Sequence, residues 1–113
     1  MTVMDLKTAL NAEILTETAD MGREITDGYC GDLLSWVMGR AKENSVWITI
    51  MGNVNAIAVA VLADVSCILL ADSSPLDTEA LKRANLQGVA ILRSELDQFS
   101  LSAKIYSMLH TTV

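Results

Sequence analysis

The fold turns on Val46-Trp47-Ile48-Thr49-Ile50 followed by Asn53 to Ala63, and on two later units of the same kind. These are Ser66-Cys67-Ile68-Leu69-Leu70-Ala71 followed by Pro75 to Gln87, and Val89-Ala90-Ile91-Leu92 followed by Asp97 to Leu109. Each unit is a short apolar run and then a segment of helical period. The runs begin about 20 to 23 residues apart, the spacing of βα units. Runs that are apolar on both faces and separated by helices predict a parallel sheet with right-handed crossovers. The expected architecture is α/β, a three-layer sandwich around a mainly parallel sheet.

Working outward toward the N-terminus, Thr2-Val3-Met4-Asp5 fits a capping box with an acidic third residue, and Val3, Leu6 and Leu10 fall at helical spacing. This helix is expected to end near Asn11. Glu13 to Thr16 is a brief strand candidate and Glu17 to Gly22 a polar loop. Arg23 to Cys30 is a second strand candidate broken by Gly28. Leu33, Leu34, Val37, Met38 and Ala41 then form an amphipathic stripe that Asp32 is placed to cap. The sheet order and the pairing of the two N-terminal strands are left open by the sequence.

The segment from Asn53 is unusual, because Val54 and the unbroken run Ala56 to Ala63 leave it no polar face. A helix that is apolar all round must be covered all round. One reading buries it wholly within the monomer. The preferred reading packs its small residues Ala56, Val59, Ala60 and Ala63 against a second copy of the chain, with two-fold symmetry as the expected closure.

Composition bounds the function. The chain has 113 residues, 51% of them hydrophobic, and 8 Lys+Arg against 14 Asp+Glu, a net charge of −6. That is enough chain for one compact domain, expected over residues 1–113, with a core that needs no staples. With no run of Lys or Arg there is no footprint for phosphate backbones or anionic lipid, so neither nucleic acid nor a membrane is expected as a partner. The start Met1-Thr2-Val3-Met4-Asp5 lacks the basic and apolar regions of a signal peptide, and the longest apolar run, Ala56 to Ala63, falls far short of the roughly 20 residues of a membrane span. A cytoplasmic location follows as the expectation, with Cys30 and Cys67 reduced and buried as small hydrophobes.

No phosphate-binding glycine loop, Cys-x-x-Cys pair or His-plus-acid metal spacing is present. His110 lies in a C-terminus expected to fray, and neither cysteine has an evident base. Asp20, Glu24, Asp27 and Asp32 match no calcium loop and read as a solvated acidic face. Trp36 and Trp47 flank one turn and are expected to pack together, with Tyr29 beside them as an alternative platform for a stacked base. The chain is expected to be no enzyme and to need no cofactor or metal.

Three segments carry a further likeness: Leu33-Leu34-Ser35-Trp36-Val37-Met38, Asn44-Ser45-Val46-Trp47-Ile48-Thr49-Ile50, and Cys67-Ile68-Leu69-Leu70 running into a loop with Pro75. On these, Gly28 to about Ile105 resembles the DRTGG domain, a small α/β module found alone and joined to CBS domains, phosphotransacetylases and CBS-regulated inorganic pyrophosphatases. The resemblance implies a fold akin to the N-terminal domain of HPr kinase and a role in regulation or dimerisation without catalysis. The family's Gly-Asp-Arg and Thr-Gly-Gly loops fall by position at Gly52-Asn53-Val54 and Ala71-Asp72-Ser73, where only Gly52 is kept. Val54 removes a fixed cation, and Asp72-Ser73 restricts torsions that a glycine pair leaves free.

Ligands of open parallel sheets bind outside the carboxyl ends of the strands. The candidates there are Thr49, Gly52, Asn53 and Asn55 in one loop, Asp72, Ser73 and Ser74 in the next, and Arg93 after the third, where Glu95 or Asp97 would be its salt-bridge partner. Each has a plainer role available: Asn53 as a helix cap, Gly52 as a turn residue, Ser73-Ser74-Pro75 as a cap with proline in the first turn. Two functions are therefore expected to compete. The first is a non-catalytic regulatory or assembly module, homodimeric and contacting a partner protein or enzyme; the alternative is a sensor of a nucleotide or similar anion.

Overall fold

The computed structural model describes residues 1–110. Its elements are α1 (Val3–Leu10), β1 (Glu13–Ile14), β2 (Asp27–Cys30), α2 (Leu34–Arg40), β3 (Ser45–Thr49), α3 (Val54–Ala63), β4 (Cys67–Leu70), α4 (Thr78–Gln87), β5 (Ile91–Arg93) and α5 (Gln98–Leu109). The five strands lie in the order β1-β5-β4-β3-β2. From β2 to β5 all pairings are parallel, and β1 joins β5 antiparallel through Glu13 opposite Arg93 and Ile14 opposite Leu92. β3 and β4 are buried along their whole length, as strands covered on both faces must be.

Two apolar layers flank the sheet. On one face Val3 and Leu6 of α1 and Leu101 and Ile105 of α5 pack with Val46, Ile48, Cys67, Leu69 and Leu92. On the other, Val37 of α2, Ala56, Ile57, Val59 and Ala60 of α3, and Ala80 and Ala84 of α4 pack with Trp47, Ile68, Leu70 and Ile91. The architecture is thus the expected three-layer α/β sandwich. Among the described residues no helix is long and apolar enough to cross a membrane.

The capping box forms as expected: Thr2 Oγ1 accepts from the Asp5 N–H at 3.1 Å and Asp5 accepts from the Thr2 N–H at 2.9 Å. Several other expectations are corrected by competing contacts. Asp32 does not cap α2, whose N-cap Leu33 makes no side-chain cap bond. The strand expected from Arg23 starts only at Asp27, and Gly28 lies inside it rather than breaking it. Pro75 does not open α4, which starts at Thr78 after a longer loop. Trp36 and Trp47 do not pair. Trp47 is fully buried and donates its indole N–H to the Gly31 carbonyl at 2.9 Å, while Trp36 stays exposed under the Arg40 guanidinium, 3.8 Å from the ring centre. His110 is held at the end of α5, its ring stacked on Tyr106 with 4.0 Å between centroids.

The thiols also divide. Cys67 is buried and burial pushes its pKa up to about 12, as expected of a small core hydrophobe. Cys30 is exposed, because it lies on β2 at the sheet edge.

The largest correction concerns α3. Ala56, Val59 and Ala60, expected to meet a second copy, are 0%, 4% and 2% exposed within the chain itself. Their small size lets α3 lie close against the sheet, and Ala63 is half-buried beside them. The uncovered side of α3 carries Ala58, Val61 and Leu62 instead.

Candidate functional site

All four parallel strands end at one edge of the sheet, and the loops leaving them hold the expected candidates. Helix capping fixes the first. Asn53 Oδ1 accepts from the Ala56 N–H at 2.9 Å, so its side chain serves the start of α3. Asn55 stands exposed in the first turn. Gly52 is required by a close approach: a Cβ there would lie well inside van der Waals distance of the Pro75 carbonyl oxygen, and the Gly52 carbonyl accepts from the Asp77 N–H at 2.8 Å. The glycine clamps the loop after β3 to the loop after β4.

Thr49 belongs to a polar clasp centred on Asp32. The Asp32 Oδ1 atom accepts from the Thr49 hydroxyl at 2.7 Å, the Ile50 N–H at 3.0 Å and Gln98 Nε2 at 3.0 Å. One carboxylate thereby ties the loop after β2 to the end of β3 and the start of α5. The clasp consumes its donors and adds negative charge, so it disfavours an anion at this point.

The loop after β4 repays a closer look at its backbone. Asp72 and Ser73 both adopt left-handed φ, 55° and 51°. These are the positions where the resemblance places a Gly-Gly pair, so the glycine-type path survives the loss of the glycines. The main-chain bonds that hold it are the Asp72 N–H to Leu96 O, Ser73 N–H to Ser94 O and Ser74 N–H to Ala71 O, at 2.9, 2.9 and 3.0 Å. Ser74, nearly buried, also donates its hydroxyl to Ala71 O at 2.5 Å. These three amides are engaged within the chain and are not free to hold an anion.

Arg93 closes the row at the end of β5. Its guanidinium bonds Glu13 Oε1 through Nε at 3.1 Å and Nη2 at 3.0 Å, and reaches Ser74 O through Nη1 at 3.4 Å. The expected partners Glu95 and Asp97 are corrected to Glu13, which β1 brings opposite Arg93. Asp97 instead caps α5 by accepting from the Ser100 N–H at 2.7 Å. That bond holds its carboxyl below the usual carboxylate range.

Of the eight candidates, Ser73 and Arg93 line one cleft of about 400 Å³, together with Leu10, Asn11, Glu13, Ser94, Glu95 and Leu96. Thr49, Gly52, Asn53 and Asn55 lie outside it. Of the candidates, Thr49 joins the Asp32 clasp and Ser73 and Arg93 the cleft, so the structure gathers them into two separate features. Sequence reading missed Asp32, Gln98 and Glu13 as members, since each joins through a contact more than 15 residues away in the chain. A second cleft, about 290 Å³, lies between β2 and α5 and is lined by Gly28, Cys30, Ser102, Ile105 and Tyr106 among others.

Among the described residues no group of His, Cys, Asp and Glu is arranged to hold a metal ion. The acidic residues expected to share a solvated face are engaged separately. Asp20 holds the Gly22 N–H, Glu24 pairs with the N-terminal amine, Asp27 pairs with Lys42, and Asp32 forms the clasp.

No curated protein matches the chain. Among solved structures, it is similar to the CBS and DRTGG domains of the regulatory region of a Clostridium perfringens pyrophosphatase, determined in complex with its activator diadenosine tetraphosphate. The TM-score is 0.70 at 13% identity, over 90% of this chain, which spans 44% of that one. The DRTGG domain model matches residues 5–108, nearly the whole chain and a wider span than the sequence resemblance covered. The chain belongs to the DRTGG domain family.

Proposed function

We propose that this chain is a single, non-catalytic regulatory module that acts through protein–protein contacts and assembles as a homodimer. The observation that carries the reading is the outer side of α3. Val61 and Leu62 are 42% and 70% exposed there and, with Ala58 a turn earlier, form an apolar stripe at helical spacing. Ile57, Arg83 and Gln87 join them in a shallow cleft of about 200 Å³ between α3 and α4. The apolar surplus that sequence reading assigned to a small-residue face is carried by this larger one. The similar pyrophosphatase segment is a regulatory region, which supports a regulatory role here.

Sedimentation velocity tests it. A species of about 24 kDa, twice the 12.2 kDa chain, is expected at high micromolar concentration, and a monomer there overturns the homodimer.

A nucleotide-sensing role is the second reading, favoured by the Arg93 cleft and by the nucleotide activator of the similar pyrophosphatase region. An incoming phosphate would displace Glu13, whose side chain is 58% exposed and free to swing away from Arg93. Thermal melts with diadenosine tetraphosphate and ATP decide it. A rise that Arg93→Ala abolishes supports the sensor, and a flat response removes it.

A further inference from the structure

Among the described residues β2 ends the sheet on one side, with β3 as its strand neighbour. In a parallel ladder alternate residues bond the neighbouring strand. Gly31 donates to Ile48 O at 3.1 Å, which places Tyr29 and Gly31 toward β3 and turns the main-chain groups of Gly28 and Cys30 away from it. The same period separates the faces: Tyr29 packs in the Trp47 layer, while Gly28 and Cys30 lie on the α5 side and are exposed. The outward Gly28 N–H is taken by Asp27 Oδ1 at 2.8 Å. The Gly28 carbonyl and both main-chain groups of Cys30 face outward, and among the described residues no strand lies beyond them.

Beside this edge lies the cleft of about 290 Å³ between β2 and α5. Its floor is Gly28, where a Cβ would meet Val46 and Ile105 only at ordinary contact distances, 3.6 to 4.0 Å. The cleft therefore exists because β2 lacks one side chain. Its lining holds one carboxylate, Asp27, and no Lys or Arg, in a chain whose net charge is −6. Asp27 makes a loose 3.6 Å pair with the exposed Lys42, which a partner's basic group would replace.

An open strand edge with a side-chain-sized apolar cleft between strand and helix is the geometry of strand addition. We propose that an extended segment of a partner protein pairs with β2, inserting one large apolar side chain over Gly28 between β2 and α5 and setting a basic residue beside Asp27. The extended main chain is required by the outward groups of Gly28 and Cys30, the apolar residue by the cleft, and the basic flank by charge complementarity. The inference rests on the reading of this chain as a protein-contacting regulatory module, and it uses a surface separate from the α3 stripe.

The test uses the full chain and a blocked heptapeptide, Lys-Val-Thr-Phe-Thr-Val-Lys, with amide shifts read by NMR and Cys30 alkylation as a second readout. The expected result is shift changes confined to β2 and α5, with Cys30 protected from iodoacetamide. A Cβ at Gly28 makes only ordinary contacts, so Gly28→Ala, with Gly28→Val as the larger step into the cleft, is expected to fold and to weaken the peptide, by about tenfold or more for Val. Replacing the peptide's Phe by Ala, or N-methylating its backbone, is expected to do the same. Asp27→Asn is expected to remove the preference for Lys over Glu flanks.

Equal binding by Gly28→Val or by the N-methylated peptide overturns strand addition, as does free phenylalanine protecting Cys30 as well as the peptide does. Concentration-dependent shifts at Gly28 and Cys30 without peptide would assign the edge to a second copy and overturn the partner segment. Failure of the peptide alongside a 24 kDa species that Leu62→Lys dissolves defeats this proposal and leaves the regulatory module standing.

Discussion

Gly52 and Ser73 sit in facing loops and make opposite demands on the side chain. At Gly52 the Pro75 main chain occupies the space of a Cβ, and a backbone atom cannot step aside. Gly52→Ala is expected to cost about 2 kcal/mol in urea unfolding, as overpacking does. Ser73 has the reverse problem, a left-handed φ of 51° on a residue that rarely adopts it. Ser73→Gly is expected to stabilise by about 0.5 to 1 kcal/mol, and a loss of stability would show that the Ser73 side chain contributes more than its strain. Of these two residues the sequence exposed only the first, as a glycine kept in a degenerate motif. Left-handed backbone at Asp72-Ser73 was hidden, because their torsions are imposed by amides reaching Leu96 and Ser94.

Element by element, local chemistry was the readable part. The capping box of α1 and the Asn53 cap of α3 form as read, and Asp97, read instead as a partner of Arg93, caps α5 from the same three-residue spacing. The acidic residues at α1 and α5 also give the fold an acid sensitivity of known sign. The Ser100 N–H holds the Asp97 carboxyl below its ordinary 3.8, and the Thr2 N–H does the same for Asp5. Because the folded state favours the charged form, this stabilisation is present above the ordinary value and is lost as pH falls through the lowered folded pKa. Asp97→Asn keeps a capping oxygen that does not titrate. Its urea midpoint is expected to fall less steeply than that of the parent between about pH 4 and pH 2, and an unchanged slope would sink the assignment. Where caps had competitors in space, as with Asp32, local reading failed: Thr49, Ile50 and Gln98 together outbid the α2 terminus for one carboxylate.

At the scale of the molecule, the surplus of apolar residues is divided between two covered layers and an uncovered stripe on α3. Because Leu62 is 70% exposed, Leu62→Lys is expected to change stability by less than about 0.5 kcal/mol while shifting the proposed dimer toward monomer in sedimentation. An unfolded variant would show instead that Leu62 serves the chain's own core. By itself the sequence determined the α/β class, the parallel core and the α1 and α3 caps, because strand period, βα spacing and capping all act within one or two turns of chain. The tertiary structure decided which side of α3 is free, that Glu13 rather than Glu95 neutralises Arg93, and that β2 is left open at the sheet edge. An all-apolar helix has no period from which its buried face can be read, and strand order and ion pairing depend on which distant segments pack together.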